Sequence, residues 1–123
     1  MQFQSKNSLL RSFISGFKGL GHVLHERNFF IQFCLGIIAV FLGLILRITV
    51  DDWIVLLLLI GLVLGSEMIN TSLEYLLDLL IPQFHLVVGK IKNTMAGAVL
   101  LFSLTALVVG FLIFMRALLK LIV

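Results

Sequence analysis

Residues 53–78, WIVLLLLIGLVLGSEMINTSLEYLLD, decide the fold. From Trp53 to Gly65 the run is pure hydrocarbon, and helix-breaking Pro82 follows four residues after Asp78. This pattern predicts a helix over about 52–80, long enough to cross a hydrocarbon core of about 30 Å. Asp52 is expected to cap its start and Trp53 to sit in the interfacial aromatic belt. The second half of the same helix carries three acids. At about 100° per residue, Glu67, Asn70, Glu74 and Asp78 fall within an arc of about 80°, forming one polar stripe about 16 Å long. A charged group in a bilayer costs from about 2.5 kcal/mol upward, so such acids mark a cavity, a pathway or a site. Asp78, near the helix end, reads equally well as an interfacial residue.

The rest of the chain fits a bilayer as its solvent. Of 123 residues, 61% are hydrophobic and 12% charged, against about 25% charged in an ordinary soluble domain. Mean hydropathy is +1.21. So apolar a chain cannot cover itself with a water-facing shell, and one compact transmembrane unit over 1–123 is expected. The nine Lys and Arg residues are dispersed and make no stripe that follows a phosphate backbone, which argues against a nucleic-acid partner. Cys34 stands alone in an apolar run, a small packing residue.

Two further spans are expected. The first covers about 29–46, with Arg47, Asp51 and Asp52 at the far interface; the last covers about 93–115, after Lys90 and Lys92. Ahead of them, Leu9, Leu10, Phe13, Phe17, Leu20 and Leu24 recur at helical spacing over about 7–26, the pattern of an amphipathic surface helix. Lys6, Arg11 and Lys18 break this segment before any signal-peptide core can form, so the first span is read as retained. Gly16, Gly19 and Gly21 weaken the surface helix, and close packing against a neighbour would explain them. Lys6, Arg11, Lys18, Arg27, Lys90 and Lys92 fall on one side of the bilayer, against Arg47, Arg116 and Lys120 on the other. The positive-inside rule then places the N-terminus in the cytoplasm. Gly61 and Gly65 form a G-x-x-x-G pair suited to close helix approach, and Gly97 offers the same in the third span. Gln32 is expected to hydrogen-bond between helices.

Other polar residues fall on the side of the acid stripe: Glu26 and Arg27 close the surface helix, and Lys92 and Asn93 open the third span. Carboxylates with a lysine suit Mg-nucleotide chemistry, in which oxygen ligands hold Mg²⁺, a cation sits on the phosphates and a base takes a hydroxyl proton. A P-loop motif is missing, and Gly16-x-x-Gly19-x-Gly21 has neither its spacing nor its flanking strand.

At these residues a resemblance becomes specific. Glu67, Asn70, Glu74 and Asp78 in the string E-x-x-N-x-x-x-E-x-x-x-D, followed by His85 and Lys92, resemble the prokaryotic diacylglycerol kinase family over nearly the whole chain. The string Glu26-Arg27-Asn28-Phe29 is most similar to its undecaprenol kinase branch. The resemblance implies an all-α lipid kinase of the bacterial inner membrane: a surface helix and three transmembrane helices, assembled as a homotrimer with sites shared between subunits. It implies Glu67 as the base for the lipid hydroxyl and Glu26 with Glu74 as holders of the Mg²⁺ of Mg-ATP. Asn70, Lys92 and Asn93 would serve the phosphates and His85 the adenine, although His85 reads equally well as a solvated interfacial residue. Family members usually carry aspartate where this chain has Asn93, which keeps hydrogen-bonding capacity without the charge. Two other readings stand beside it: an oligomeric transporter relaying protons through Glu67 and Glu74, and a family member with weakened catalysis.

Overall fold

The structure, a computed structural model, describes residues 7–123; the charge of Lys6 used in the topology argument lies outside the described residues. Four helices follow one another: α1 (Asn7–Val23), α2 (Arg27–Leu46), α3 (Val50–Leu80) and α4 (Leu86–Ile122). The last three are long and apolar enough to cross a membrane.

α1 bears the expected apolar stripe. Leu9, Leu10, Phe13 and Phe17 lie exposed along it, available to the headgroup region of a bilayer. Its glycines do not interrupt it. Among the described residues no neighbour comes within 4 Å of a side-chain carbon built at Gly16, Gly19 or Gly21, so the close packing expected there is not found among them. α1 ends at Val23, short of the predicted 26, and a turn over 24–26 leads into α2.

α2 is 20 residues long, about 30 Å at 1.5 Å per residue, one hydrocarbon thickness. Arg47 closes it in the left-handed conformation (φ 53°), its N–H donating to the carbonyl of Gly43. The cap of α3 is Thr49, whose hydroxyl accepts from the N–H of Asp52 at 3.2 Å, and not Asp52 itself. Thr49 holds the extended backbone that a capping residue needs (φ −68°, ψ 163°), which leaves Asp52 within the first turn with its carboxylate free. That carboxylate, buried at 6% exposure, accepts a hydrogen bond from Arg116 of α4. The pair ties the far ends of α3 and α4 together.

α4 begins at Leu86 and reaches Ile122, well beyond the predicted 93–115. Lysine is a good helix former with a long stem that carries its charge to water. Lys90, Lys92, Arg116 and Lys120 therefore flank the apolar stretch without ending the helix, which continues past them. α3 ends as expected, capped by Ile81 just before Pro82.

The core gathers at the far end of the bundle around Ile48, Leu56, Ile113 and Ala117, with Trp53, Ile60 and Phe114 against it. Phe29, at 1% exposure the most buried large side chain, stacks on Phe33 near the other end. Close helix approach falls at Gly43, where a side-chain carbon would stand 2.8 Å from the Trp53 ring and 3.0 Å from Ile48 Cδ1. A side-chain carbon built at Gly61, Gly65 or Gly97 would meet nothing within 4 Å, so their expected close contacts are not made among the described residues. Gly43→Val is expected to destabilise the bundle by about 1–3 kcal/mol through overpacking, seen as a lower unfolding temperature in detergent; an unchanged temperature would contradict the packing described.

Candidate active site

Register on α3 sets the site. Glu67, Asn70, Glu74 and Asp78 recur every three or four residues and share one face of a continuous helix. Burial grades along that face: Glu67 is 5% exposed and Asn70 6%, Glu74 is half-buried, and the side chain of Asp78 is 63% exposed. Thr71, at 5% exposure, adds a buried hydroxyl beside Asn70.

Each acid has a specific partner. Gln32 of α2 donates its Nε2 hydrogen to Glu67 Oε2 at 3.5 Å, the interhelical bond expected of Gln32. Asn70 Nδ2 donates to Glu74 Oε1 at 3.4 Å, which leaves Asn70 Oδ1 buried with no partner. Lys92 of α4 donates to Asp78 Oδ1 at 2.5 Å. Both of those side chains are substantially exposed, so the pair adds little to stability, and its lysine remains available to an anion. Glu26 occupies the backbone capping position of α2 without using its side chain there; its carboxylate accepts from the Tyr75 hydroxyl instead.

Tyr75 therefore brings Glu26 to the α3 surface one residue past Glu74. Glu67 and Glu74 share one face of α3, and Glu26 reaches the same helix through Tyr75. Among the described residues, no group of three or more His, Cys, Asp or Glu side chains converges tightly enough to hold a metal alone. Mg²⁺ suits the donors nonetheless, because it usually takes one or two carboxylates and completes its shell with water and substrate phosphates. Glu26, Glu74 and the unpartnered Asn70 Oδ1 are hard oxygen donors of that type.

His85 serves as the cap of α4: its Nδ1 accepts from the N–H of Val87 at 3.1 Å. His85 is exposed. Asn93 is exposed on α4 and lies inside the helix, one residue past Lys92. Sequence reasoning missed Tyr75, Thr71 and the Asp52–Arg116 pair. Adjacency to Glu74 and Asn70 flags the first two only weakly, and nothing local pairs residues 64 positions apart.

Fold and site together define a small three-span helical membrane protein whose graded acid stripe runs from a buried carboxylate to a lysine at the surface. Residues 15–114 match the model of the family described as prokaryotic diacylglycerol kinase. The chain is 28% identical over 110 residues to an undecaprenol kinase of Bacillus subtilis, covering 89% of each chain. It is 33% identical over 123 residues to a diacylglycerol kinase of Synechocystis, covering 98% of this chain and 70% of that one. No solved structure gives a significant match. The chain belongs to the prokaryotic diacylglycerol kinase family, and its enzymatic class is that of a lipid kinase.

Proposed function

We propose that the protein transfers the γ-phosphoryl group of Mg-ATP to the hydroxyl of a membrane lipid alcohol, undecaprenol in preference to diacylglycerol, at the cytoplasmic face of a bacterial inner membrane. The observation that carries this reading is the burial gradient from Glu67 to Asp78 and Lys92, which joins a membrane-embedded base to a water-exposed cation along one helix face. A lipid hydroxyl arrives from within the bilayer and a nucleotide from water, and only such a stripe serves both.

In this reading Glu67 takes the hydroxyl proton, the lipid oxygen bonds to the γ-phosphorus, and the bond from that phosphorus to the ADP oxygen breaks. Glu26 and Glu74 would hold Mg²⁺, which when bound neutralises charge on the phosphate oxygens. Asn70 orients Glu74 and offers its free carbonyl to the site. Lys92 meets the phosphates by exchanging its exposed partner Asp78 for a stronger anion. Asn93, beside it, and His85, through Nε2, lie toward the nucleotide. The undecaprenol preference is supported by the Glu26-Arg27-Asn28 string and by the near-complete mutual coverage with the Bacillus relative. A homotrimer is supported by the open Gly61 and Gly65 positions on α3, which suit a neighbouring helix. The positive charges of Arg11, Lys18, Arg27, Lys90 and Lys92 support a cytoplasmic N-terminus.

The test is transfer of labelled γ-phosphate in nanodiscs with Mg²⁺, offering undecaprenol and diacylglycerol side by side. Lipid phosphate is expected from both, with undecaprenol the better substrate. A stably assembled protein that phosphorylates neither would overturn the reading.

A further inference from the structure

The far end of α4 carries a concave surface on the side away from the core. A groove of about 590 Å³ is lined by Leu112, Met115, Leu119 and Val123 together with Arg116 and Lys120. These positions recur every three or four residues, so they share one face of the helix. Ile113 and Ala117, on another face, supply α4's part of the core. Leu112, Met115 and Leu119 are exposed instead, open to whatever surrounds the bundle. Asp52, bonded to Arg116, fixes the level of the groove: at 1.5 Å per residue, Glu67 stands about 22 Å from Asp52 along α3. The groove is therefore separate from the acid stripe.

Two cations form its polar end. Arg116 donates through Nη2 to the buried carboxylate of Asp52, yet 57% of its side chain stays exposed. A guanidinium carries five N–H donors in one rigid plane, so the bond to Asp52 pins the group and leaves donors to spare. Lys120, one turn on, makes no ion pair among the described residues, whose pairs are Lys92 with Asp78 and Arg116 with Asp52. This end is positive as a whole, with Arg47, Arg116 and Lys120 against Asp51 and Asp52. The C-terminus of a helix offers only about half a negative charge, too little to balance the excess. These cations also stand opposite the more basic side of the protein, so membrane topology does not call for them.

We infer that this groove binds an anionic phospholipid of the far leaflet, its phosphate held between Arg116 and Lys120 and an acyl chain laid along Leu112 and Met115. The order of residues along the helix carries the assignment. Lys120 lies nearest the helix end, Arg116 about 6 Å further in, and Leu112 about 6 Å beyond that, which matches a lipid whose headgroup meets water while its tail runs into the hydrocarbon. A planar guanidinium grips phosphate oxygens two at a time, and the ammonium adds a point charge beside it. A zwitterionic lipid brings its own ammonium against the same two cations and gains less. An uncharged lipid alcohol offers them no anion, so the groove is not a second site for the kinase substrate. Free phosphate would meet the cations but leave the apolar wall uncovered.

The experiment places the full chain in phosphatidylcholine nanodiscs doped with a trace of photoreactive phosphatidylglycerol or photoreactive phosphatidylcholine, and maps the labelled peptides. The glycerol lipid is expected to label residues 112–123 about tenfold more than the choline lipid, since each cation near a membrane surface favours an anionic lipid about fivefold. Lys120→Gln, which leaves the Asp52–Arg116 bond intact, should lower that label about fivefold. Asp52→Asn combined with Arg116→Gln removes the other cation without stranding a buried acid, and should do the same with the helical circular dichroism unchanged. Lys90→Gln, at the opposite end of α4, should leave the label on 112–123 within about twofold, which separates this groove from the basic residues there. Glycerophosphoglycerol, the headgroup without its chains, should not compete at equal concentration. Equal labelling by the two lipids, a label unmoved by Lys120→Gln, or competition by the bare headgroup would overturn the inference.

Discussion

Glu67→Gln is expected to lower lipid phosphorylation by about 10³-fold with assembly unchanged. A positioned general base contributes roughly 10²–10⁴-fold, and glutamine keeps the volume of the side chain while losing the ability to accept the proton. Glu67 lies 5% exposed and accepts from Gln32, so a neutral amide at position 67 still finds a hydrogen-bonding neighbour and the helix pair stays packed. The loss should therefore appear in kcat, with the ATP KM nearly unchanged. Single-turnover transfer at saturating lipid and Mg-ATP measures it. Activity within about tenfold of wild type would remove Glu67 from the role of base.

Lys92→Ala is expected to cost about 10²-fold in kcat/KM for ATP, expressed mainly in kcat. Lys92 holds Asp78 at 2.5 Å with 35% of its side chain exposed, a position where its ammonium can turn to a triphosphate. Removing one charged donor from a developing phosphoryl charge typically costs 10²–10³-fold. Asp78→Asn is the companion: it loosens the resting partner and should leave turnover within about threefold. The pair of variants also separates rival mechanisms, because a proton relay through Glu67 and Glu74 has no use for Lys92. Wild-type ATP kinetics in Lys92→Ala would end the phosphate role assigned to it. A wild-type protein already slow with ATP would direct attention to Asn93, the neutral residue beside Lys92.

Much of this architecture can be read from the chain itself. The hydrocarbon run from Trp53, the Pro82 stop and the two flanking apolar segments force three spans, because a bilayer leaves an apolar chain few ways to satisfy its backbone. Helical periodicity alone puts Glu67, Asn70, Glu74 and Asp78 on one face. The boundaries were harder. α4 overran its predicted start by a full turn and more, since lysines mark the water line without stopping a helix. Thr49 took the capping role expected of Asp52, because caps depend on backbone angles that composition does not reveal.

Sequence by itself determined the medium, the number of crossings and the acid stripe, since hydropathy and a 3.6-residue period are local properties summed along one helix. Tertiary structure decided which residues of separate helices meet: Glu26 with Tyr75, Gln32 with Glu67, Asp52 with Arg116, Gly43 with Trp53. It also decided that Gln32 and Ser103 share one cavity. Those encounters depend on helix rotation and crossing, which follow from how side chains interlock across three helices at once. No window of sequence contains that information.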